Sequence, residues 1–253
     1  MTMIRNSPEE VIAKTRSIYQ AMLRNSKRIT QGNFTKIGVT DLERLFSLYD
    51  RIFFSGLLQE LLHRKNSGIL QFRLSKRMAR VGGKTTRTLK RLQQRGNSRE
   101  VPVYEIAISA QLLFQTFKDV KRTVIINGII CKDRLEALQR IFEHELIHIL
   151  EMVLWGKSSC SKANFRSLAR QIFAHTDINH QLVTQREIAL VNFGIGIGDK
   201  VSFKDDGKLA TGYVNRITKR ATILVESEKG APYSNGKRYI KYYVPISDLQ
   251  KEA

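Results

Sequence analysis

The chain has 253 residues and a formal net charge of +20, a length that can bury a full core and allows one or two domains. Its hydrophobic content of 42% is ordinary for a globular protein, but a sequence pI near 10.2 favours a polyanionic partner, most often nucleic acid. No long apolar run, secretory signal or disulfide framework is present in the sequence, so we expect a cytoplasmic protein with no membrane partner.

The first third of the chain predicts two helices. Residues 8–31 have apolar positions at helical spacing, and Pro8 suits the first turn while Gly32 suits the end. A second helix is expected to begin at Thr40, with Glu43 completing a capping box.

A region typical of β-structure follows. Residues 70–74 alternate between apolar and polar, residues 82–83 are a Gly-Gly pair that predicts a turn, and residues 103–109 are the clearest strand. Residues 111–118 have a helical pattern. Residues 124–130 fit either a strand or an insert, because a short apolar run has no decisive period.

Two further helices are expected over 133–154 and 162–173, followed by a glycine-rich linker at 193–198. Short strands alternate with turns beyond the linker, which predicts a small SH3-like β-barrel. These strands are expected at 200–203, 210–217, 221–226 and 239–244.

The helix over 133–154 carries an H-E-x-x-H motif made of His144, Glu145 and His148. Residues four apart lie on one helical face, so both imidazoles can bind a single Zn²⁺ ion. Glu145 can then act as the general base for a zinc-bound water. The alternative is a pair of core-edge histidines, but charged and polar groups in so apolar a helix need partners, which a metal supplies.

The motif and its flanks resemble the SprT-like family of zinc metallopeptidases. The matching segments are 48–58, the strand ending at 106–109 and the motif segment 138–148, and the similarity covers about 41–179. The resemblance implies an α+β, zincin-like metallopeptidase domain. We therefore expect an N-terminal helical extension over 1–40, the zincin-like domain over 41–192 and the barrel over 198–253.

One departure from the family concerns the third zinc ligand. The family places a histidine after the motif helix, where this chain has Ser161 with Cys160 beside it. A thiolate is a good zinc ligand and a serine is not, so Cys160 is the leading candidate. His175 and His180 are its rivals. A buried, apolar role for Cys160 and a surface or capping role for the histidines are the structural alternatives.

A tract of ten Lys or Arg residues without Asp or Glu lies between Arg73 and Arg99. Such a tract can neutralise phosphates without reading sequence, so it predicts nucleic-acid contact. The resemblance to the SprT-like family implies DNA rather than RNA. The alternative is a solvated hairpin. The basic residues assigned to this surface are Arg73, Lys76, Arg77, Arg80, Lys84, Arg87, Lys90, Arg91 and Arg95.

The barrel also mixes cations with tyrosines, among them Arg216, Lys241 and Tyr243, a combination that can stack bases and hold a backbone. Alternating tyrosines are also common in half-buried strands, so this signal is weaker.

Two functions fit these patterns best. The first is a DNA-associated zinc metallopeptidase acting on a protein substrate through Glu145. The second is a non-catalytic nucleic-acid-binding protein with a structural, four-ligand zinc site. A factor bound to RNA or to ribosomes is a weaker third.

Overall fold

The computed structural model describes residues 4–64, 68–94, 97–118 and 120–252, and it divides into two compact units, Met1–Leu182 and Val183–Ala253. The N-terminal unit contains six helices and five strands among the described residues. The helices are α1 (Pro8–Asn25), α2 (Val39–Phe54), α3 (Leu57–Arg64), α4 (Ala110–Gln115), α5 (Arg134–Trp155) and α6 (Ala163–Phe173). The strands are β1 (Ile69–Ser75), β2 (Gly83–Gln94), β3 (Asn97–Ser109), β4 (Val124–Ile126) and β5 (Ile129–Cys131).

The main sheet of this unit has the order β1-β3-β2, with β1 parallel and β2 antiparallel to the central β3. The β2–β3 ladder runs from Gly83↔Ile108 to Gln94↔Asn97, whereas β1 pairs with β3 only from Val103 to Ser109. The far half of the β2–β3 ladder therefore extends beyond β1 as a two-stranded ribbon.

Helix α5 is the centre of the N-terminal core. Asp133 caps its first turn by accepting hydrogen bonds from the backbone N–H groups of Leu135 and Glu136, and Gly156 ends it in the left-handed conformation with φ 75°. The sequence prediction of this helix is confirmed within one residue at each end. Because most of its side chains are buried on several faces, α5 holds its polar residues in fixed surroundings.

The first two helices differ from the prediction at their ends. Helix α1 stops at Asn25, six residues before the expected end, because the Ser26 hydroxyl accepts hydrogen bonds from the N–H groups of Arg28 and Ile29 and forms a turn. Helix α2 has Gly38 rather than Thr40 at its cap, and the Asp41 carboxylate accepts the Gly38 N–H at 2.7 Å.

The predicted turn at residues 82–83 is wrong. Gly83 is the first residue of β2, and neither glycine of the pair has a positive φ. Residues 124–130, which the sequence left open, form the β4–β5 hairpin, with Asn127 and Gly128 at positive φ in the turn.

The C-terminal unit contains α7 (Gln185–Phe193), a short 3₁₀ helix (Ile246–Asp248) and one sheet. Its strands are β6 (Lys200–Asp205), β7 (Lys208–Ile217), β8 (Ala221–Pro232), β9 (Arg238–Val244) and β10 (Gln250–Lys251). The sheet order is β10-β6-β7-β8-β9, and in the described part of the chain no ladder joins its two outer strands into a closed barrel.

The observed division of the chain lies upstream of the expected one. Ala189 of α7 and Ile195 of the expected linker are buried in the core of the C-terminal unit, so residues 183–198 belong with the sheet. At the other end, Val11, Ile18 and Met22 of α1 belong to the N-terminal core, so residues 1–40 are not a separate extension.

No helix among the residues described above is long and apolar enough to cross a membrane.

Candidate metal centre

Three side chains from two segments converge next to α5. His144 and His148 lie one turn apart on that helix, and Cys160 lies in the loop that follows it. One ligand atom from each of the three lies within 4.8 Å of the other two. Among the described residues, no other group of three His, Cys, Asp or Glu residues converges in this way. Ligand atoms around a tetrahedral Zn²⁺ ion lie roughly 3 to 4 Å apart, so small movements suffice for all three to bind one ion.

Hydrogen bonds fix the tautomer of His148. Its Nδ1 atom lies 2.7 Å from the Ser158 hydroxyl oxygen, and that hydroxyl donates its one proton to Glu151 Oε2. Ser158 must therefore accept from Nδ1–H, which leaves the lone pair of Nε2 for a metal. A chain of this kind, from histidine to an outer carboxylate, orients metal-binding imidazoles in proteins.

The surroundings also keep both imidazoles unprotonated. Burial lowers the pKa of His148 to about 4, and burial together with the neighbouring His148 lowers the pKa of His144 to about 3. The Phe165 ring packs against both, with centroid distances of 4.8 and 4.5 Å. Neutral imidazoles are the form that binds metals, so the pair of nitrogens and the adjacent thiol match the ligand preference of Zn²⁺.

Glu145 is buried between α5 and β2. Its Oε2 atom accepts a hydrogen bond from the Thr85 hydroxyl at 2.7 Å, and a Cβ atom on Gly83 would lie only 2.5 Å from Oε1. Gly83 is thus required for the close approach of the carboxylate to the strand. Burial raises the pKa of Glu145 to about 7 against the opposing hydrogen bonds of Thr85, which places its proton exchange near neutral pH.

The Nε2 atoms of the two rival ligands have partners outside the cluster of His144, His148 and Cys160. His175 Nε2 lies 2.8 Å from Glu143 Oε2, inside a buried network that also includes Arg140 and Tyr49. His180 Nε2 accepts the Gly82 N–H at 3.0 Å. Neither histidine shares the convergence of His144, His148 and Cys160.

Sequence reasoning missed Thr85, Ser158 and Gly83. Thr85 is 60 positions from Glu145, and no spacing rule relates the two. Ser158 had a weak signal, since it lies in the same short loop as Cys160 and Glu151 is on the same helical stripe as His148.

The predicted basic residues do not form one patch. Arg73 is ion-paired with Glu105 at 2.9 Å, and Lys76, Arg77 and Arg80 lie in the segment between β1 and β2. On β2, side chains alternate between faces. The face that presents Thr85 to Glu145 also carries Arg87 and Arg91, and the opposite face carries Lys84 and Lys90. Arg95 lies outside the described residues.

The chain matches no protein-family model, no curated protein and no solved structure. The resemblance to the SprT-like family therefore rests on the residues quoted for it.

Proposed function

We propose that this chain is a zinc-dependent metallopeptidase of SprT-like type that works in contact with nucleic acid. The observation that carries the proposal is the convergence of His144, His148 and Cys160 within 4.8 Å, together with a hydrogen bond that reserves His148 Nε2 for a metal. In this proposal His144 Nε2 or Nδ1, His148 Nε2 and the Cys160 sulfur hold Zn²⁺.

Catalysis is favoured over a structural zinc site by the number of protein ligands. Structural sites are closed by four protein ligands, while catalytic sites leave one position open. His175 and His180, the two histidines that could have completed a closed site, do not converge with the other three residues, and their Nε2 atoms contact Glu143 and Gly82. In the described part of the chain the cluster has three members, which is the number that a hydrolytic site requires.

The bound ion would supply Lewis-acid polarisation of a peptide carbonyl and a water of lowered pKa. Glu145 then has the role of a proton carrier, because its carboxylate is adjacent in sequence to a ligand and its pKa of about 7 allows it to take and return a proton. Thr85 holds Oε2 of that carboxylate. Ser158 and Glu151 hold the ring of His148 in one orientation.

Nucleic-acid contact is supported by the net charge of +20 and by the basic side chains of β2. Arg87 follows Thr85 on the same face of β2, so a phosphate backbone bound there would lie along the strand that contacts Glu145. The ligand that fits such a surface is a nucleic acid bound through its phosphates, without contacts that distinguish one base from another.

The test is cleavage of a DNA-bound protein by the purified chain with one equivalent of zinc. We expect Glu145→Gln to retain the metal and to lose activity by a factor of about 100 or more, the usual contribution of a general base. Equal activity in the Gln variant would refute the hydrolytic proposal. A structural site predicts zinc binding without cleavage in either protein.

The nucleic-acid part has its own measurement. Replacing Arg87 with Ala should lower the affinity for duplex DNA of any sequence. The slope of log affinity against log salt concentration should also become shallower by about one unit, which corresponds to the loss of one phosphate contact. Glu100→Ala, on the same ladder, is the matched control that removes a charge of opposite sign. An unchanged salt dependence in Arg87→Ala would place the contact elsewhere.

A further inference from the structure

The sheet of the C-terminal unit has one buried and one exposed face. Paired residues of neighbouring strands point to the same side, and Val214, Ile223 and Tyr242 form one such row on the buried side. The rows on either side of it in β7, β8 and β9 therefore point outward. They contain, in strand order, Lys200, Tyr213, Leu224 and Lys241 in one row, and Arg216, Thr222 and Tyr243 in the next. A register shift between Val214 and Arg216 brings Arg216 into the second row, and Thr222 of that row is buried.

Two tyrosine rings are exposed on this outward face. Tyr213 is 48% exposed and Tyr243 is 62% exposed, so both rings present apolar surface to solvent. Strand spacing and rise put their Cα atoms roughly 12 Å apart, so the two rings are separate platforms. The set of Lys200, Tyr213, Arg216, Lys241 and Tyr243 is called the tyrosine face below.

The charged groups on the tyrosine face are mostly cationic. Lys200, Arg216 and Lys241 are exposed and lie in the same rows as the two tyrosines, and Lys241 Nζ lies 5.6 Å from the centroid of the Tyr233 ring. Arg220 Nη1 donates to the Tyr243 carbonyl at 3.5 Å. The nearest acidic side chain along β8, Glu226, is ion-paired with Lys237 at 2.7 Å. Glu252 lies opposite Lys200, because its backbone N–H donates to the Lys200 carbonyl at 2.9 Å. The surface therefore combines flat apolar rings with an excess of positive charge.

We propose that the tyrosine face binds single-stranded nucleic acid, with bases stacked on Tyr213 and Tyr243 and the phosphate backbone held by Lys200, Arg216 and Lys241. The positive charge favours a polyanion as the ligand. The exposed rings favour a single strand, because its bases can leave their own stacking and stack on the tyrosines. A duplex offers its phosphates but not its base faces. This inference concerns the C-terminal unit and does not rest on the metal centre.

The experiment uses the full chain and measures fluorescence anisotropy with labelled oligothymidylate, oligouridylate and a duplex of equal length. Tyr213→Ala and Tyr243→Ala should each weaken single-strand binding about fivefold or more, since base stacking on an aromatic ring contributes at least that much. Tyr213→Phe and Tyr243→Phe keep the ring and should retain the affinity. Duplex affinity should be unchanged in all four variants, and the two oligonucleotides decide between DNA and RNA.

Phe193→Ala is the matched control, because Phe193 is an aromatic residue of the same unit, 44% exposed, on α7 rather than on the sheet. Where an Ala variant lowers the unfolding midpoint, Tyr213→Leu and Tyr243→Leu remove the ring but keep an apolar strand residue. Wild-type affinity in the ring-deleted variants, or an equal loss on duplex DNA, would overturn the proposal. If the chain binds no zinc, the metallopeptidase proposal is refuted, but the predicted affinities of the tyrosine face for single strands do not change.

Discussion

The N-terminal unit buries the carboxylates around its candidate metal centre, whereas the C-terminal unit exposes the tyrosines of its candidate binding surface. On α5, Glu143 and Glu145 have almost no solvent exposure and each has a hydrogen-bonding partner on another element. On the tyrosine face, Tyr213 and Tyr243 project into solvent. The difference suits the two proposed tasks, because proton transfer needs fixed groups of shifted pKa, while binding of a flexible polyanion needs accessible rings and cations.

Three consecutive residues of α5 illustrate the first half of the comparison. Glu143 points into a buried network, His144 into the metal cluster and Glu145 toward β2. Successive positions on a helix are about 100° apart, so one helix can place one residue in the core, one in the proposed metal site and one in the proposed role of proton carrier. The predictions below test whether these buried roles are separable.

The largest effect is expected at Glu143. Its carboxylate accepts hydrogen bonds from Arg140 and Tyr49 and contacts His175, all in the interior. Glu143→Leu would leave the Arg140 charge buried without its partner, and we expect a loss of about 3 to 5 kcal/mol in the free energy of unfolding, measured by urea titration. The exposed pair of Lys237 and Glu226 is the control, since Glu226→Ala should cost less than about 1 kcal/mol. Similar costs at the two sites would contradict the contrast between units.

The second effect concerns the two cysteines. Cys160→Ser should lower zinc affinity by about 100-fold or more, because hydroxyl oxygen is a poor substitute for thiolate. Cys131 is 3% exposed and burial raises the pKa of its thiol to about 12, so Cys131→Ser should leave zinc affinity unchanged. Competition with a chromogenic chelator measures both. Equal affinities in the two variants would remove Cys160 from the ligand set.

The third effect is at Ser158, which contacts His148 and is not one of the three proposed ligands. Ser158→Ala removes the acceptor for Nδ1–H, and we expect zinc affinity to fall about 10- to 100-fold, the usual range for an outer partner of a metal ligand. Ser159→Ala is the matched control, since the hydrogen bond of the Ser159 hydroxyl in the described part of the chain is to Ser161 on the surface. A wild-type affinity in Ser158→Ala would mean that the imidazole needs no such support.

The smallest effect in this series tests the contact between β2 and the carboxylate. Gly83→Ala places a methyl group against Glu145 Oε1, and we expect a cost of about 1 to 3 kcal/mol in unfolding free energy, together with reduced peptidase activity. Gly196→Ala, whose new methyl group would have its nearest neighbour at 3.7 Å, should cost little. A Gly83→Ala protein of unchanged stability would show that Glu145 does not lie against the strand.

The sequence predicted what depends on local signals. The Asp133 cap, the helical period and the motif spacing define α5. The thiol next to the expected third-ligand position drew attention to Cys160, which lies with His144 and His148, and its role as a ligand stays a prediction. What it could not predict depends on pairing between distant segments. The glycine pair at 82–83 was interpreted as a turn because the reason for Gly83, the carboxylate of Glu145, is 62 positions away.

The same limit applies to the second unit. The sequence drew attention to Tyr243, Arg216 and Lys241, but Tyr213 was missed because only the register of β7 with β8 and β9 places it on their side. Helix α7 was missed as well, since its short amphipathic run lies next to glycines that indicated a linker.

The most direct test of the central claim is zinc content combined with X-ray absorption at the zinc K-edge of the full chain. The proposal predicts one zinc per chain, with two imidazole nitrogens at about 2.0 to 2.1 Å, one sulfur at about 2.3 Å and one further oxygen. In Cys160→Ser the sulfur signal should disappear. A protein that folds without zinc and does not take up the metal, or a site with four protein ligands, would contradict the account.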